Sequence, residues 1–393
     1  MDVVLKRGRE RSLLLRHPWV FAGSIAAVTG EPATGETVEL VSSRGDWLAR
    51  GAWSPHSQIR VRAWSFEPDE AIDQAFFVRR LHAALELRRR LGLVKPGAAF
   101  RLCNAENDGL PGLVIDHYAG WHVGQFLSAG AERWKDAIVN AAMKLLPAKG
   151  FHERSDVEVR RKEGLELTTG TLRGEAPPEL VEFDDSGLRL LADLHGGHKT
   201  GAYLDQAVNR RLVCESVRPG DSVLNVFCYT GGFGLHAARA GAGSVTQLDQ
   251  SADALALARR NAELNGLSGI EYIQGNAFEE LRKLRDAGRQ FDCVILDPPK
   301  FAPSAASVDK ALGAYKDVNL LGFQLLRPGG MLFTFSCSGH VTRELFTQVV
   351  AAAAADAGRD ARILRQLSQS PDHTIGLHYP DGEYLKGLQL LVT

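Results

Sequence analysis

The chain has 393 residues, 45% of them hydrophobic and 24% charged, which is typical of a globular protein with two or three domains. It contains no run of eighteen apolar residues and begins without the apolar core of a signal peptide, so we expect no membrane span. The five cysteines are dispersed and never form a C-x-x-C pair, which argues against a disulfide framework or a zinc site and predicts a location in the reducing cytoplasm.

The net charge of −1 hides a difference between the two ends of the chain. Residues 1–100 contain 15 Lys and Arg against 11 Asp and Glu, and the remainder contains 31 against 36. A basic module joined to a mildly acidic one fits a domain that grips nucleic acid beside a catalytic domain, although a solvated charged face fits equally well. The basic residues predicted to contact RNA are Lys6, Arg7, Arg9 and Arg16.

Short alternating runs over residues 1–67 predict a small β-barrel. In this barrel we interpret Trp19 and Phe21 as core residues rather than base-stacking groups. Residues 68–184 are predicted to form a linker helix over 70–92 and then a central α+β domain.

From 185 to 393 strands and helices alternate, which predicts an α/β, Rossmann-like domain with a parallel sheet. Its strand over 222–227 is followed by a glycine-rich turn and a helix, an arrangement whose backbone N–H groups approach an anionic or polar cofactor. The next strand ends at Asp249, 18 residues beyond Gly231, where a ribose-binding acid is expected. The turn has the pattern G-G-x-G rather than G-x-G-x-x-G, which disfavours NAD. Asp249 as a plain helix cap is the alternative.

An acid and a thiol follow two further predicted strands. Asp297 comes directly after the apolar run 291–296, and Cys337, preceded by Ser336, follows the apolar run 329–335. If these strands are parallel neighbours, both side chains reach the carboxyl edge of the sheet, where open α/β sheets bind ligands. An acid, two prolines and a thiol at one edge suit chemistry on a flat base, and they suggest an enzyme that methylates a nucleobase. On its position alone, Cys337 also fits a small buried hydrophobe.

Six motifs carry a resemblance that spans nearly the whole chain. They lie at residues 16–21, 107–113, 199–206, 225–233, 297–301 and 384–388. The chain resembles the bacterial 23S rRNA 5-methylcytosine methyltransferases that have an amino-terminal PUA domain and a class I methyltransferase domain. The resemblance implies S-adenosylmethionine as cofactor and 23S rRNA or a large-subunit precursor as partner, and it leaves a homodimer open.

The resemblance also implies roles for individual residues. Cys337 would attack the pyrimidine, and Asp297 would lie between the methyl sulfonium and the base. The cofactor would contact Asn225, Phe227, Tyr229, Thr230, Gly231, Asp249, Gln250, Ser251, Asn276, Ala277 and Asp297. The residues themselves, apart from the resemblance, predict contacts to the RNA substrate, and Tyr203, Asp205 and Gln206 among them fit a lining of either the cofactor or the base pocket. The predicted RNA contacts are Tyr203, Asp205, Gln206, Pro298, Pro299, Lys300 and Phe301.

Two other functions remain open on the sequence. Asp-Pro-Pro-Lys-Phe also resembles the motif of enzymes that methylate ring or exocyclic nitrogens, for example of guanine, and these need no thiol. A ribosome-assembly factor that binds cofactor and RNA without catalysis is the other. The thiolate of a 5-methylcytosine enzyme needs a lowered pKa, and Lys300 is the candidate for lowering it.

Overall fold

The computed structural model describes residues 1–302 and 304–393. They form two compact units. The first contains Met1–Asp184, Ala192–Leu204 and Pro371–Gly382, and the second contains Asp185–Leu191, Asp205–Ser370 and Glu383–Thr393. The division into domains at 1–67, 68–184 and 185–393 stays a prediction. Within the described residues, no helix has the length and apolar character needed to cross a membrane.

The first unit begins with a six-stranded sheet in the order β2-β6-β5-β4-β1-β3. Its elements are β1 (Asp2–Leu5), α1 (Arg11–Leu14), β2 (Trp19–Phe21), β3 (Ile25–Val28), β4 (Thr37–Val41), β5 (Trp47–Trp53) and β6 (Ile59–Ser65). Strand β1 pairs with β4 in parallel, while the other pairs are antiparallel. Alternate residues of these strands point inward, so Val3, Leu40 and Val61 are fully buried in one apolar cluster.

The assignment of Phe21 to this core was wrong, because its exposed fraction is 49%. Strand β2 is the outer strand of the sheet, so a ring at its end has no neighbouring strand to cover it. Trp19 is partly buried, and its indole N–H donates to Glu106 Oε1 at 2.8 Å.

A five-stranded sheet follows in the order β11-β10-β9-β8-β7. Its elements are α2 (Gln74–Arg90), β7 (Ala99–Asn104), β8 (Leu113–Tyr118), β9 (Trp121–Phe126), α3 (Ala129–Arg133), α4 (Lys135–Leu145), β10 (Gly150–Ser155) and β11 (Thr168–Gly174). Asp73 caps α2 by accepting the Phe76 N–H at 2.8 Å. Near the other end of α2, Arg88 is fully buried and donates two hydrogen bonds to Asp108.

The second unit contains a seven-stranded sheet in the order β16-β15-β14-β17-β18-β20-β19. After the hairpin of β12 (Val181–Asp185) and β13 (Leu188–Ala192), its elements are α5 (Ala207–Ser216), β14 (Ser222–Val226), α6 (Gly232–Arg239), β15 (Ser244–Asp249), α7 (Ala252–Leu264), β16 (Ile270–Gln274), α8 (Ala277–Asp286), β17 (Phe291–Leu296), α9 (Val308–Leu325), β18 (Leu326–Ser336), α10 (Arg343–Asp356), β19 (Ala361–Ser368) and β20 (Lys386–Val392).

Five strands of this sheet, β14 to β18, run parallel, whereas β20 is inserted antiparallel between β18 and β19. The central strands β14 and β17 are mostly apolar and buried, as expected for a parallel sheet with helices on both faces. The prediction of an α/β, Rossmann-like carboxyl-terminal domain is therefore confirmed.

Candidate active site

The residues predicted to carry the chemistry follow neighbouring strands at one edge of the large sheet. Strand β14 pairs with β17 so that Val226 lies opposite Leu296, and β17 pairs with β18 so that Leu296 lies opposite Thr334. Because all three strands are parallel, the loops after them emerge side by side. The sequence prediction that Asp297 and Cys337 share a sheet edge is confirmed by this register.

The thiol of Cys337 lies 3.9 Å from the carbonyl oxygen of Pro298, the residue after Asp297. Pro298 is buried, whereas Pro299 and Lys300 are exposed and Cys337 is partly exposed. Residues 297–302, which begin with Asp297, are called the acid loop below. A thiol at this position contacts the acid loop and remains partly exposed to solvent.

Phe301 does not point into solvent. Its ring centroid lies 4.9 Å from that of Tyr315, 6.1 Å from that of Phe278 and 6.4 Å from that of Phe227. These ring contacts join the acid loop to the loop after β14 and to α8 and α9. The Phe301 ring therefore packs against other rings of the protein, and its contact with a base stays a prediction.

Two serines flank Cys337 and fix its backbone. The Ser336 hydroxyl donates to the Tyr315 hydroxyl at 2.9 Å, and the Tyr315 hydroxyl lies 3.0 Å from Ser338 Oγ. Ser338 Oγ also accepts the Ala302 N–H at 3.1 Å, which ties the acid loop to the strand end. Burial raises the pKa of Tyr315, so its hydroxyl remains neutral and serves as a structural bridge.

The glycine-rich turn after β14 has an unusual backbone. Phe227, Tyr229 and Gly231 adopt φ values of 58°, 48° and 88°, a left-handed region that side chains disfavour. The Tyr229 N–H donates to Asp249 Oδ2 at 2.8 Å, and the Ser251 N–H donates to Asp249 Oδ1 at 2.9 Å. Asp249 therefore holds the turn and the start of α7 together at the end of β15.

Gln247 is a residue that sequence reasoning missed. It is fully buried in β15, donates through Nε2 to Gly231 O at 3.1 Å and accepts through Oε1 from Asn225 Nδ2 at 2.8 Å. A Cβ at Gly231 would lie 2.7 Å from Gln247 Nε2, so the turn leaves no room for a side chain there. The only signal in the sequence is a polar residue inside an apolar strand, which the structure explains as a buried hydrogen bond.

The comparisons with known proteins agree with this geometry. Residues 156–373 match the model of the S-adenosylmethionine-dependent methyltransferase family, and residues 3–66 match that of the PUA-like domain. Proteins named ribosomal RNA large subunit methyltransferase I are 52% identical in Aeromonas hydrophila and 49% identical in Shewanella amazonensis, each match covering 98% of both chains. The chain belongs to the S-adenosylmethionine-dependent methyltransferase family.

Two solved structures share the fold over their full length. A SAM-dependent methyltransferase from Streptococcus mutans has a TM-score of 0.84 at 20% identity, with complete coverage of both chains. A methyltransferase solved in complex with SAH has a TM-score of 0.86 at 21% identity, again with complete coverage. The small amino-terminal sheet of the present methyltransferase is thus a PUA-like domain, as the sequence predicted.

The residues at the edge fit S-adenosylmethionine. The turn at 227–231 leads directly into the amino end of α6, and the partly exposed carboxylate of Asp249 lies beside this turn, where it accepts the Tyr229 N–H. Asn225 Oδ1 is buried and accepts no hydrogen bond within the described residues. A polar cofactor would use the backbone N–H groups and the carboxylate. The cofactor contacts of Asn225, Phe227, Tyr229, Thr230, Gly231 and Asp249 stay predictions.

The predicted adenine contacts lie at the start of α8. Asn276 is exposed and caps this helix, because its Oδ1 accepts the Phe278 N–H at 3.0 Å, while Ala277 is buried. The Asn276 amide oxygen therefore already accepts one hydrogen bond, and its second lone pair or the amide NH₂ remains for the cofactor. Gln250 is exposed at the end of β15, and Ser251 caps α7 through Ala254 N–H at 3.2 Å.

Two predicted base contacts of the methyltransferase, Asp205 and Gln206, are buried. Asp205 Oδ2 accepts the Tyr384 hydroxyl at 2.7 Å, and Gln206 Oε1 accepts Asn209 Nδ2 at 2.6 Å. Both side chains therefore have structural partners, and their contact with RNA stays a prediction.

Tyr203, the third of these residues, is partly exposed in the first unit. Its hydroxyl lies 3.2 Å from His198 Nδ1, and Lys199 Nζ lies 4.5 Å from its ring centroid. His198 received no role from the sequence, and here it orients the Tyr203 ring.

The basic residues of the PUA-like domain divide into two groups. Lys6 Nζ donates to Gly23 O at 3.0 Å, and Arg16 forms an ion pair with Glu67 at 3.0 Å, so these two have partners inside the domain. Arg7 and Arg9 are exposed and form no ion pair among the described residues. Of the four, Arg7 and Arg9 are best able to reach a phosphate.

Three of the other cysteines have environments unlike that of Cys337. Cys103, Cys228 and Cys293 are buried, and burial raises the pKa of each thiol well above its ordinary value. A thiol kept neutral in an apolar interior is a poor nucleophile. In the part of the chain that the structure describes, no group of His, Cys, Asp and Glu could hold a metal ion.

Proposed function

We propose that this methyltransferase modifies C5 of a cytosine in 23S rRNA and that Cys337 is its nucleophile. The observation that carries the proposal is the thiol at the end of β18, 3.9 Å from the loop that Asp297 begins. The names of the relatives support ribosomal RNA of the large subunit as substrate, either free or in a precursor particle. The PUA-like domain, in which Arg7 and Arg9 are exposed, supports the proposal that this domain binds the phosphates of that RNA.

The chemistry explains why a thiol is needed. C5 of cytosine is a poor carbon nucleophile, but attack of a thiolate on C6 moves the electron pair of the C5–C6 double bond toward C5. The cofactor supplies a methyl group carried on a sulfonium. After C5 has gained this methyl group, a base removes the C5 proton, the double bond re-forms and the C6–S bond breaks to release the thiolate.

The surrounding residues have roles in keeping with this sequence of steps. Asp297 would hydrogen-bond the base edge while charge develops in the ring. The target base must leave its stack to reach the thiol, and exposed Pro299 offers an apolar surface beside it. Tyr315, Ser336 and Ser338 would keep the thiol at a fixed position during attack.

A cysteine-to-alanine pair tests the proposal. Cys337→Ala should abolish methyl transfer to rRNA while leaving S-adenosylmethionine affinity unchanged, whereas Cys214→Ala, in α5, should remain active. RNA carrying 5-fluorocytosine at the target should trap the unmodified enzyme as a covalent adduct, because fluorine cannot be removed as a proton. Full activity of Cys337→Ala would overturn the proposal and favour methylation of a nitrogen centred on Asp297-Pro298-Pro299.

A further inference from the structure

The first residue of β20, Lys386, is a buried lysine beside Cys337. Only 2% of its surface is exposed, and its Nζ donates to the carbonyl oxygen of Ser338 at 2.9 Å. In the sheet, Lys386 lies opposite Ser336. The lysine therefore contacts the chain on both sides of Cys337, through its backbone at Ser336 and through its side chain at Ser338. It can do so because β20 runs antiparallel, which brings its first residue to the carboxyl edge.

The charge of Lys386 lacks the usual partner. An ammonium group taken out of water needs an anion, and Lys135 illustrates this with ion pairs of 2.7 Å to Glu132 and 2.9 Å to Glu153. Across residues 1–302 and 304–393, by contrast, no carboxylate lies within 4.0 Å of Lys386 Nζ. The Lys386 ammonium group has three N–H donors. One of them donates to the Ser338 carbonyl, and the described residues offer no second acceptor.

The other charged groups near Lys386 do not supply the missing anionic partner. Glu383, the carboxylate whose charge acts on Lys386, is exposed and forms an ion pair with Arg343 at 2.6 Å. Lys300 and Arg343 both add positive charge. Tyr315, from α9, is neutral. Besides Glu383, the group whose negative charge acts on Lys386 is the sulfur of Cys337.

We propose that Lys386 is a positioning residue that holds the sulfur of Cys337 in its thiolate form, ready to attack the pyrimidine. The inference deepens the proposed function and rests on it. The thiol releases its proton to solvent while the lysine keeps its own, so a neutral thiol beside a buried cation becomes an ion pair. Lys386, rather than exposed Lys300, is then the activating group.

The surroundings of Lys386 also act on its own pKa. Burial lowers the pKa of Lys386, while Glu383 and a charged Cys337 act in the opposite direction. Thiolate and ammonium thus stabilise each other, and removal of either charge destabilises the other.

Alkylation of Cys337 by iodoacetamide, followed by mass spectrometry of its peptide across a range of pH, tests the inference without RNA. In the unmodified protein the reactivity should reach half its maximum at least one pH unit below about 8.5, the ordinary value for a thiol. Lys386→Met should raise this midpoint by one unit or more, so that thiolate reactivity at neutral pH falls about tenfold. Lys386→Arg should restore most of the shift, and Lys300→Met should leave the midpoint in place.

An unchanged midpoint in Lys386→Met would overturn the inference, and so would a midpoint of 8.5 or more in the unmodified protein, a result that needs no variant. Titration with S-adenosylmethionine would establish that Lys386→Met is folded. The 5-fluorocytosine adduct separates the two proposals. If the adduct forms and the midpoint does not depend on Lys386, the inference alone fails. If the midpoint depends on Lys386 but no adduct forms, the cytosine reaction fails while the ion pair stands.

Discussion

Gly231 allows a test of the packing of the glycine-rich turn after β14, which is called the cofactor turn below. Its φ of +88° disfavours any side chain, and a Cβ there would lie 2.7 Å from Gln247 Nε2 and 3.1 Å from Ala258 Cβ. Gly220, in the same unit, has a similar φ of +91° but no atom within 4 Å of a Cβ. Alanine at the two positions therefore differs in packing while sharing the backbone penalty.

The expected magnitudes follow from this difference. Gly220→Ala should destabilise the second unit by about 1–2 kcal/mol, the penalty for a left-handed alanine. Gly231→Ala carries the same penalty and a further ~1–3 kcal/mol for overpacking. Because Gln247 must move, its hydrogen bonds to Gly231 O and Asn225 are also strained, at about 1 kcal/mol each. We expect a total of about 4–7 kcal/mol and at least a tenfold loss of S-adenosylmethionine affinity, whereas Gly220→Ala should bind normally.

The assay must report on the second unit. All six tryptophans lie between Trp19 and Trp134, in the first unit, so intrinsic fluorescence would miss the effect. Hydrogen exchange of peptides covering 222–240 measures the opening free energy directly, and each 1.4 kcal/mol speeds exchange about tenfold. Calorimetric titration supplies the affinity. Equal destabilisation by the two alanines, or normal cofactor binding by Gly231→Ala, would refute the reasoning.

Two further predictions concern charge. Asp185 accepts hydrogen bonds from Arg210 at 2.5 Å and His236 at 3.1 Å, and despite its burial these partners hold the pKa of its carboxyl well below the usual range. Its contribution to stability is therefore present above the unfolded pKa of about 3.9 and is lost as pH falls through the lower folded value. Asp185→Asn should destabilise the second unit by about 3 kcal/mol at pH 7. In hydrogen-exchange measurements this difference should shrink below pH 4, and a constant difference would contradict it. Replacing Arg7 and Arg9 together by Gln should weaken rRNA binding and reduce the slope of log affinity against log salt by up to about 1.8, with S-adenosylmethionine affinity unchanged. Filter binding at several salt concentrations would measure this, and an equal effect of exposed Arg260→Gln would argue against a specific grip.

The sequence allowed the large sheet and its edge to be predicted because parallel strands have a strong apolar signature. Strand β17 begins and ends at the predicted residues, Phe291 and Leu296, and the order of strands then brings Asp297 and Cys337 together. Phe21 was misassigned because an apolar residue in an alternating strand gives no sign that its strand lies at the edge of the sheet.

The supporting polar residues could not be predicted for a different reason. Gln247 lies inside β15 and Lys386 is the first residue of β20, and their partners are 16 and 48 residues away along the chain. The sequence pattern shows only that a polar group is buried. Which backbone carbonyl it reaches depends on strand register and on the direction of β20, and both are properties of the assembled sheet.

The insertion of β20 between β18 and β19 also has a consequence for the order in which the protein matures. During synthesis from the amino end, β14 to β18 emerge first and can pair with one another, whereas β19 must wait for β20 because it has no other neighbour in the sheet. Lys386 arrives with that same strand. A partly synthesised chain can thus assemble its cofactor turn and expose Cys337 before the lysine reaches the sheet. The thiol would acquire its reactivity only when the second unit is complete, which protects the nascent chain from premature alkylation or oxidation at this cysteine.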